Sequence, residues 1–333
     1  FFRLLIGAIG ASFVITQYHT SIMFAPNVVG TANATTAGWG NAGGGATQAL
    51  MPLMLAALVM FGVEQAMGWR IALLVPGILM IIVGVLYWKF TQDCPQGNFK
   101  ELRAQGISVG SDKKGGLAIL MHAARNYRVW ILFGAYAACF GIEIFIHNII
   151  ALYFVDNFQF GLKEAGMAAG IFGLLALFAR ALGGIVSDKV AIQKGLDGRT
   201  KVLFALIMLE GLFLILFSQM NSATLAIMAM TIFALFTHMA CGATYALVPF
   251  IDRDALGGVA GIIGAGGNVG AVAAGFLLKG MLDIQTTLMV LGGLVVIAAS
   301  CVLMIRFSVE HKEKEQLLYE QAVNERHLAE AQQ

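Results

Sequence analysis

Charged side chains are scarce in this sequence. Asp, Glu, Lys and Arg make up 12% of its 333 residues, whereas hydrophobic residues make up 59%, and the mean hydropathy is +0.80. A soluble protein of this length needs far more charge to cover its surface. The composition therefore excludes a soluble domain and predicts an all-α polytopic membrane protein. The 40 glycines fit this class because small residues let membrane helices approach closely.

Cysteines are also few, and the start of the chain lacks the features of a signal peptide. None of the four cysteines belongs to a Cys-x-x-Cys pair, and three of them lie in apolar segments. We therefore expect no disulfide and no metal site. The chain begins Phe-Phe-Arg, with neither Met nor a basic segment ahead of a cleavage site, so we expect no signal peptide and a missing start. We expect no nucleic-acid partner.

Long apolar segments cover most of the chain. A helix needs about 20 residues to cross a hydrocarbon core of ~30 Å. Nine segments meet this condition: residues 3–24, 34–61, 70–90, 129–155, 166–187, 201–219, 223–249, 257–280 and 285–307.

The basic residues predict the orientation of these spans. They concentrate in the connection 89–128, in the connection 189–201 and after residue 305, so the positive-inside rule makes these parts cytoplasmic. The chain then divides into four parts: three spans in 1–90, a cytoplasmic central loop in 91–128, six spans in 129–307, and a solvated cytoplasmic tail in 308–333. A six-plus-six protein without its first three helices would show this pattern.

Two segments combine glycines with one asparagine inside a predicted span. The first is Gly38-Trp39-Gly40-Asn41-Ala42-Gly43, and the second is Gly267-Asn268-Val269-Gly270. Glycine-rich helices in corresponding places of two halves indicate a transporter whose binding site lies between the halves. The asparagine amides can donate to an anion, and the glycines allow close approach of a ligand or of a neighbouring helix.

The residues after Gly183 resemble a known motif. Gly184-x-x-x-Asp188-Lys189, followed by Gly198-Arg199, resembles the loop motif of the major facilitator superfamily, in which the acid caps and pairs at a cytoplasmic helix-to-helix turn. The resemblance implies the major facilitator fold, with the nine spans as its helices 4 to 12. It also implies a structural loop motif formed by Gly184, Asp188, Lys189 and Arg199.

Within that superfamily the chain is similar to the nitrate/nitrite porter family over residues 1–307. The two glycine–asparagine segments resemble its signature segments. The stretches around Phe13, Tyr136 and Arg180 resemble those that supply its pocket aromatics and its anion-binding arginine. The family has a second essential arginine on helix 2, which has no counterpart here. The resemblance implies these residues for substrate binding: Phe13, Gly40, Asn41, Gly43, Tyr136, Phe140, Arg180, Gly267, Asn268 and Gly270.

Arg180 is the strongest candidate for contact with an anion. It lies eight residues before Asp188 in an apolar run, which places it ~12 Å inside the cytoplasmic edge of its span. A cation at this depth costs roughly 2.5–3.5 kcal/mol on insertion scales, so it normally faces a cavity and has a partner. Guanidinium donors match the planar oxygens of nitrate or nitrite. We favour substrate binding over the alternative, a structural ion pair between helices.

Tyr136, Phe140, Glu143 and His147 follow one another at helical spacing and share one face. An aromatic pair beside an arginine suits a flat anion, although core packing explains Phe140 equally well. Glu143 and His147 are candidates for carrying a proton, and the alternative is a hydrogen-bonded pair that ties helices together. We expect interhelical hydrogen bonds for two single polar residues of later spans, Glu210 and His238.

Together these features predict a transporter and not an enzyme. We expect nitrate or nitrite to cross the inner (plasma) membrane by alternating access, in a monomer, with either proton symport or nitrate/nitrite exchange, as in nitrate assimilation. No cofactor is expected because transport leaves the anion unchanged. One alternative is a facilitator for another small anion. A membrane sensor or haem-carrying subunit is disfavoured because only His147 and His238 lie deep in spans. A truncated product without function is the last alternative.

Overall fold

A computed structural model describes residues 7–107, 115–280 and 283–331. The regular structure in these ranges is helical, and the β-type pairing found there is an isolated bridge between Cys94 and Gly97. The helices are α1 (Ala11–Met23), α2 (Val29–Met60), α3 (Gln65–Ala72), α4 (Leu74–Phe90), α5 (Phe99–Ala104), α6 (Gly116–Ala124), α7 (Tyr127–Tyr136), α8 (Ile142–Phe158), α9 (Leu162–Leu174), α10 (Ala176–Ser218), α11 (Ala223–Leu247), α12 (Leu256–Lys279), α13 (Ile284–Val302) and α14 (Val309–Ala331). The prediction of an all-α protein is confirmed.

Seven helical stretches in the described ranges are long and apolar enough to cross a membrane. They differ from the nine predicted spans at two places. The predicted spans 166–187 and 201–219 fall within one stretch, Lys163–Ser218. The predicted span 3–24 begins in residues outside the described ranges, and its described α-helix, α1, has only 13 residues.

The connection predicted as a loop after residue 187 is instead a sharp break in α10. The helix continues through Lys194, and only Gly195 has non-helical backbone angles, with φ 53° and ψ −143°. A positive φ is accessible to glycine because it has no Cβ. Asp188 and Lys189 therefore lie on a helix, one to two turns before the break, and not in an extended loop. The prediction of a loop was wrong because a single glycine suffices to break the helix here.

One span contains a π-helical turn. Residues Ala137–Gly141 join α7 to α8 with π-type backbone, so Tyr127–Phe158 forms one continuous stretch. This turn packs against α12 at very short range: a Cβ atom at Gly270 would lie 2.8 Å from the Cα of Ala137. An inserted residue of this kind is uncommon and often occurs at functional sites.

Gly270→Ala should destabilise the protein by ~1–3 kcal/mol, because the added methyl group meets backbone that cannot move away without separating α12 from the π-turn. The matched control is Gly275→Ala on the same helix, where no atom outside the helix's own backbone lies within 4 Å of the new Cβ. The melting temperature of the purified protein should fall for Gly270→Ala and stay near the unsubstituted value for Gly275→Ala. Equal shifts would contradict the assignment of a tight contact.

Helix α2 connects the first part of the chain with the six-helix part. It packs along α9, α10 and α11. A Cβ at Gly38 would lie 2.7 Å from the carbonyl oxygen of Ala176, and one at Gly45 would lie 2.6 Å from the backbone nitrogen of Leu174. Helix α4, in contrast, has no buried residue. The glycine-rich helix, together with α1, therefore brings the two parts into contact.

The tail predicted as solvated is instead docked. Helix α14 places Glu315 against Arg253, whose Nε and Nη2 donate to the two carboxylate oxygens at 2.8 and 2.6 Å. Lys312 pairs with Asp197 at 2.6 Å. The ring of His311 lies 2.9 Å from the carbonyl oxygen of Phe250. Glu315 is only 6% exposed, so part of the tail belongs to the folded structure.

Arg253→Ala should lower the free energy needed to undock this tail by ~1 kcal/mol, which is the upper end of the range for a partly exposed ion pair. Chymotrypsin should then cut within 309–331 about fivefold faster, since cleavage follows the population of the open form. Lys314→Ala, on the exposed side of the same helix, is the matched control and should leave the cleavage rate unchanged. Identical rates for both variants would show that the Arg253–Glu315 pair does not hold the tail.

Candidate functional site

Arg180 lies at the centre of the candidate site, where three helices meet. It belongs to α10, and two glycines bring the neighbouring helices against it. A Cβ at Gly38 of α2 would lie 3.2 Å from the Cβ of Arg180, and one at Gly242 of α11 would lie 3.0 Å from its backbone carbon. The side chain is 0% exposed. The arginine is therefore buried inside the helical bundle.

The guanidinium is paired with one carboxylate. Nη2 of Arg180 donates to Oε2 of Glu143, which is itself 1% exposed. The thiol of Cys241 donates to the same oxygen at 3.5 Å. The interhelical ion pair that the sequence left as an alternative is therefore present. It uses only one of the three guanidinium nitrogens.

The other donors at this place have no acceptor. Nε and Nη1 of Arg180 and the hydroxyl of Tyr136 are buried and lack a hydrogen-bond partner within the ranges that the structure describes. Leaving such groups unpaired costs roughly 1–3 kcal/mol each, more for a charged group, so native proteins rarely keep them without a reason. Donors of this kind around a buried cation suit an anion with several oxygen atoms.

Aromatic rings enclose these donors. The ring of Phe140 stacks on Tyr136 with centroids 4.9 Å apart and on Phe13 with centroids 5.9 Å apart. The ring of Tyr245 meets Phe13 and Tyr136 edge-on, at 5.3 and 5.1 Å. The Cζ atom of Arg180 lies 5.3 Å from the centre of the Phe140 ring. The structure thus brings Phe13, Tyr136 and Phe140 together with Arg180, as predicted.

The two asparagines flank this cluster without entering its hydrogen bonds. Asn41 donates through Nδ2 to the carbonyl oxygen of Ala37 at 2.8 Å, and Asn268 donates to that of Gly264 at 3.5 Å. Each amide is thus bonded within its own helix, four residues back. Their assignment to substrate binding stays a prediction.

The glycines of the two segments are not equivalent. On α12, a Cβ at Gly267 would lie 3.2 Å from the Cβ of Phe140, and Gly270 contacts the π-turn. On α2, the space around Gly40 and Gly43 is open to 4 Å within the described residues. Gly267 and Gly270 are therefore in close contact with a neighbouring helix, and the role of Gly40 and Gly43 in the approach of a ligand stays a prediction.

The two deep histidines differ in their burial and in their neighbours. His147 is partly exposed and packs edge-on against Phe172, with ring centroids 5.1 Å apart. His238 is 0% exposed, and its Nδ1 lies 3.3 Å from Oε2 of Glu143. Its Nε2 lies 2.9 Å from the carbonyl oxygen of Phe172, which confirms the expected interhelical hydrogen bond. The imidazole beside Glu143 is thus His238 and not His147.

A second polar cluster connects α2 with α10 near the break at Gly195. Oδ2 of Asp188 accepts from the backbone nitrogen and the hydroxyl of Thr31, at 2.6 and 2.7 Å. Its Oδ1 accepts from Nη1 of Arg199 at 2.6 Å. Thr31 lies in the first turn of α2, so the acid caps that helix as well as pairing with an arginine. Gly184 lies against Gly30 at the same contact, while Lys189 is exposed.

The sequence analysis did not recognise that three residues of α11 form one face of the site. His238, Cys241 and Tyr245 are spaced i, i+3 and i+7, the pattern of one helical face. That spacing was an available signal. Glu210 was expected to be hydrogen bonded, yet neither carboxylate oxygen has a partner in the described part of the chain.

Comparisons with known proteins agree with the sequence motifs. A family model described as the Major Facilitator Superfamily matches residues 1–253 and 149–330. High affinity nitrate transporter 2.5 of Arabidopsis thaliana is 40% identical over 291 residues, which are 87% of this chain and 57% of that relative. The nitrate/nitrite transporter NrtP of Nostoc punctiforme is 26% identical over 336 residues, covering 81% and 66%.

Among solved structures, the fucose:proton symporter of E. coli is similar at 12% identity, with a TM-score of 0.48 and coverage of 90% and 92%. The chain spans little more than half the length of the Arabidopsis relative. The resemblance deduced from the motifs is confirmed by the matched family model and by the names of these relatives.

Proposed function

Because the chain belongs to the major facilitator superfamily and is a multi-pass membrane protein, we propose that it carries nitrate, and also nitrite, across the membrane by alternating access. The names of its relatives support this substrate. The observation that carries the proposal is the set of unpaired, buried donors on Arg180 and Tyr136. The aromatic rings of Phe13, Tyr136 and Phe140 surround them.

The chemistry of the site suits a small planar anion. A guanidinium offers coplanar donors that match two oxygens of nitrate or nitrite. The faces of Phe140 and Tyr136 are nearly parallel, with an interplanar angle of 24°, and their rings exclude water from the cation. In such surroundings the attraction between the cation and an anion is much stronger than in water. Asn41 and Asn268 would add amide donors after turning away from their own helices.

Alternating access would use the contacts of α2. In this proposal the two halves rock around the site, and the glycine contacts of α2 and α12 slide or open. The Thr31–Asp188–Arg199 cluster would hold the halves together on the cytoplasmic side and separate when the site opens there. We place the protein in the plasma membrane as a monomer, with the central connection and α14 in the cytoplasm.

Proton symport is the mode of coupling that we propose over nitrate/nitrite exchange. Its support is the carboxylate of Glu143, which is buried directly beside the anion-binding cation. A carboxylate at that place repels an incoming anion, and protonation removes the repulsion. His147 stays a candidate for the path of the proton, since its Nδ1 is buried and without a partner within the described residues.

Uptake into proteoliposomes tests the substrate. The complete gene product should take up nitrate saturably, and nitrite should compete, whereas phosphate and small carboxylates should compete weakly because bulkier anions need more room than the stacked aromatic rings leave. Preferential competition by a tetrahedral or carboxylate anion would favour the alternative, a facilitator for another small anion. A Soret band in the purified protein would favour the haem-carrying alternative.

A further inference from the structure

The pairing of Arg180 with Glu143 neutralises the cation that attracts an anion. A guanidinium has two edges with coplanar donors, one formed by Nη1 and Nη2 and the other by Nε and Nη2. Glu143 bonds to Nη2, which carries one hydrogen on each edge, so the donors of one edge remain free. Glu143 therefore opposes the anion through its negative charge and not by occupying every donor.

The histidine beside this pair has a fixed tautomer. Nε2 of His238 lies 2.9 Å from the carbonyl oxygen of Phe172, which can only accept, so Nε2 carries a hydrogen. Nδ1 then faces Oε2 of Glu143 at 3.3 Å. Two bare lone pairs at this distance would repel each other in a buried site. One proton, on Nδ1 or on Oε2, turns the contact into an attractive one.

The net charge of Arg180, Glu143 and His238 depends on whether that proton is bound. With it, the cluster of Arg180, Glu143 and His238 has a net charge of +1, whether the proton is on the imidazole or on the carboxyl. Without it, the net charge is zero. A buried cluster with one positive charge attracts one monovalent anion, and a neutral cluster does not. Binding of one proton therefore strengthens the binding of one anion, and binding of the anion strengthens the binding of the proton.

We propose that His238 is the proton partner of Glu143 and that their shared proton decides whether Arg180 is available to the anion. The proposal rests on the anion site described above and identifies how that site is regulated. In the transfer, the N–H bond at Nδ1 of His238 breaks and an O–H bond forms at Oε2 of Glu143. The imidazole becomes neutral, the carboxyl becomes neutral, and the positive charge of Arg180 is left for the anion.

Other titratable groups near Glu143 do not replace His238 in this role. Arg180 on α10 keeps its charge, and Cys241 on α11 donates to the carboxylate through its thiol at 3.5 Å. His147 is on the same helix as Glu143, one turn further along, and packs against Phe172. Glu210 on α10 is buried, and no hydrogen bond joins it to the cluster within the described residues. His238 is the imidazole found within 4 Å of the carboxylate.

Proton uptake during anion binding tests the proposal. The complete gene product is purified in detergent and titrated with nitrate, nitrite and chloride in weakly buffered solution containing a pH indicator, and affinity is measured between pH 5 and 9. The unsubstituted protein should take up about one proton per anion bound at high pH, so that Kd for nitrate rises about tenfold per pH unit there. In His238→Gln, which keeps an amide donor for Phe172, both the proton uptake and the pH dependence should disappear.

His122→Gln is the matched control, since it makes the same change at an exposed histidine of α6 that pairs with Asp252 outside the site, and its proton uptake should equal that of the unsubstituted protein. Loss of proton uptake in His147→Gln with retention in His238→Gln would overturn the proposal. Glu143→Gln provides a second variant, because it mimics the protonated carboxyl. It should bind the anion with an affinity that no longer depends on pH.

The outcomes separate this proposal from the assignment of nitrate. Proton-coupled binding of another anion in the panel would remove nitrate as the substrate and support the role of His238. Nitrate binding without proton uptake in the unsubstituted protein would support the substrate and overturn the role of His238. Binding of no anion would overturn both.

Discussion

Arg180→Lys should lower nitrate uptake at low nitrate concentration by roughly 10- to 150-fold. Lysine keeps the positive charge and can keep the pair with Glu143, but it offers a single nitrogen in place of a coplanar pair. The loss is one charge-assisted hydrogen bond, worth roughly 1.5–3 kcal/mol, which converts to that range of affinity. Initial rates of ¹³N- or ¹⁵N-nitrate uptake into proteoliposomes measure the effect directly.

The matched control is Arg253→Lys, which makes the same change at an arginine whose carboxylate partner lies on α14 and outside the candidate site. Its uptake should remain close to that of the unsubstituted protein. Equal uptake by Arg180→Lys and the unsubstituted protein would show that the paired donors of Arg180 do not bind the anion. Equal losses in both variants would point to a general effect of removing arginine.

Glu143→Ala should destabilise the protein by roughly 3–5 kcal/mol, because it leaves the buried charge of Arg180 without its partner. Nitrate should then restore much of the loss, since the anion takes the place of the missing carboxylate. At about 100 times its Kd, a ligand that binds only the folded state adds about 2.7 kcal/mol. The melting temperature measured with increasing nitrate, against gluconate at the same ionic strength, gives the size of the rescue.

Glu210→Ala is the control for this rescue. It removes a second buried carboxyl, one whose oxygens have no hydrogen-bond partner in the described chain. Its melting temperature should respond to nitrate only as much as that of the unsubstituted protein. If both alanine variants recover equally, nitrate acts as a general stabiliser and not as a ligand of Arg180.

The span predicted over residues 129–155 contributes three residues to the site. Helical spacing placed Tyr136, Phe140 and Glu143 on one face, and the family resemblance implied the two aromatic residues for the pocket. In the structure Phe140 and Glu143 contact Arg180, and Tyr136 stacks on Phe140. Their agreement is notable because the π-turn at Ala137–Gly141 shifts the helical phase within this segment. Periodicity cannot reveal such a turn, since the extra residue is held in place by the contact with Gly267 and Gly270 on another helix.

Tertiary contacts distinguish polar residues that the sequence alone treats as alike. Sequence position gave His147 and His238 similar depth, but the distance between Nδ1 of His238 and Glu143 separates them. The tail was similarly ambiguous, because a charged helix can be solvated or docked. Arg253 and Asp197 lie far from α14 in the chain, and only the fold brings them to Glu315 and Lys312.

Composition and local pattern determined the class of this protein, the apolar helices and the identity of the central arginine. These properties depend on the free energy of placing each side chain in lipid, which follows from the type of each residue. The tertiary structure alone decided which donors of Arg180 are used, which histidine faces Glu143 and where the chain breaks at Gly195. Those features depend on distances of a few ångströms between residues up to about one hundred positions apart, and no local pattern specifies them.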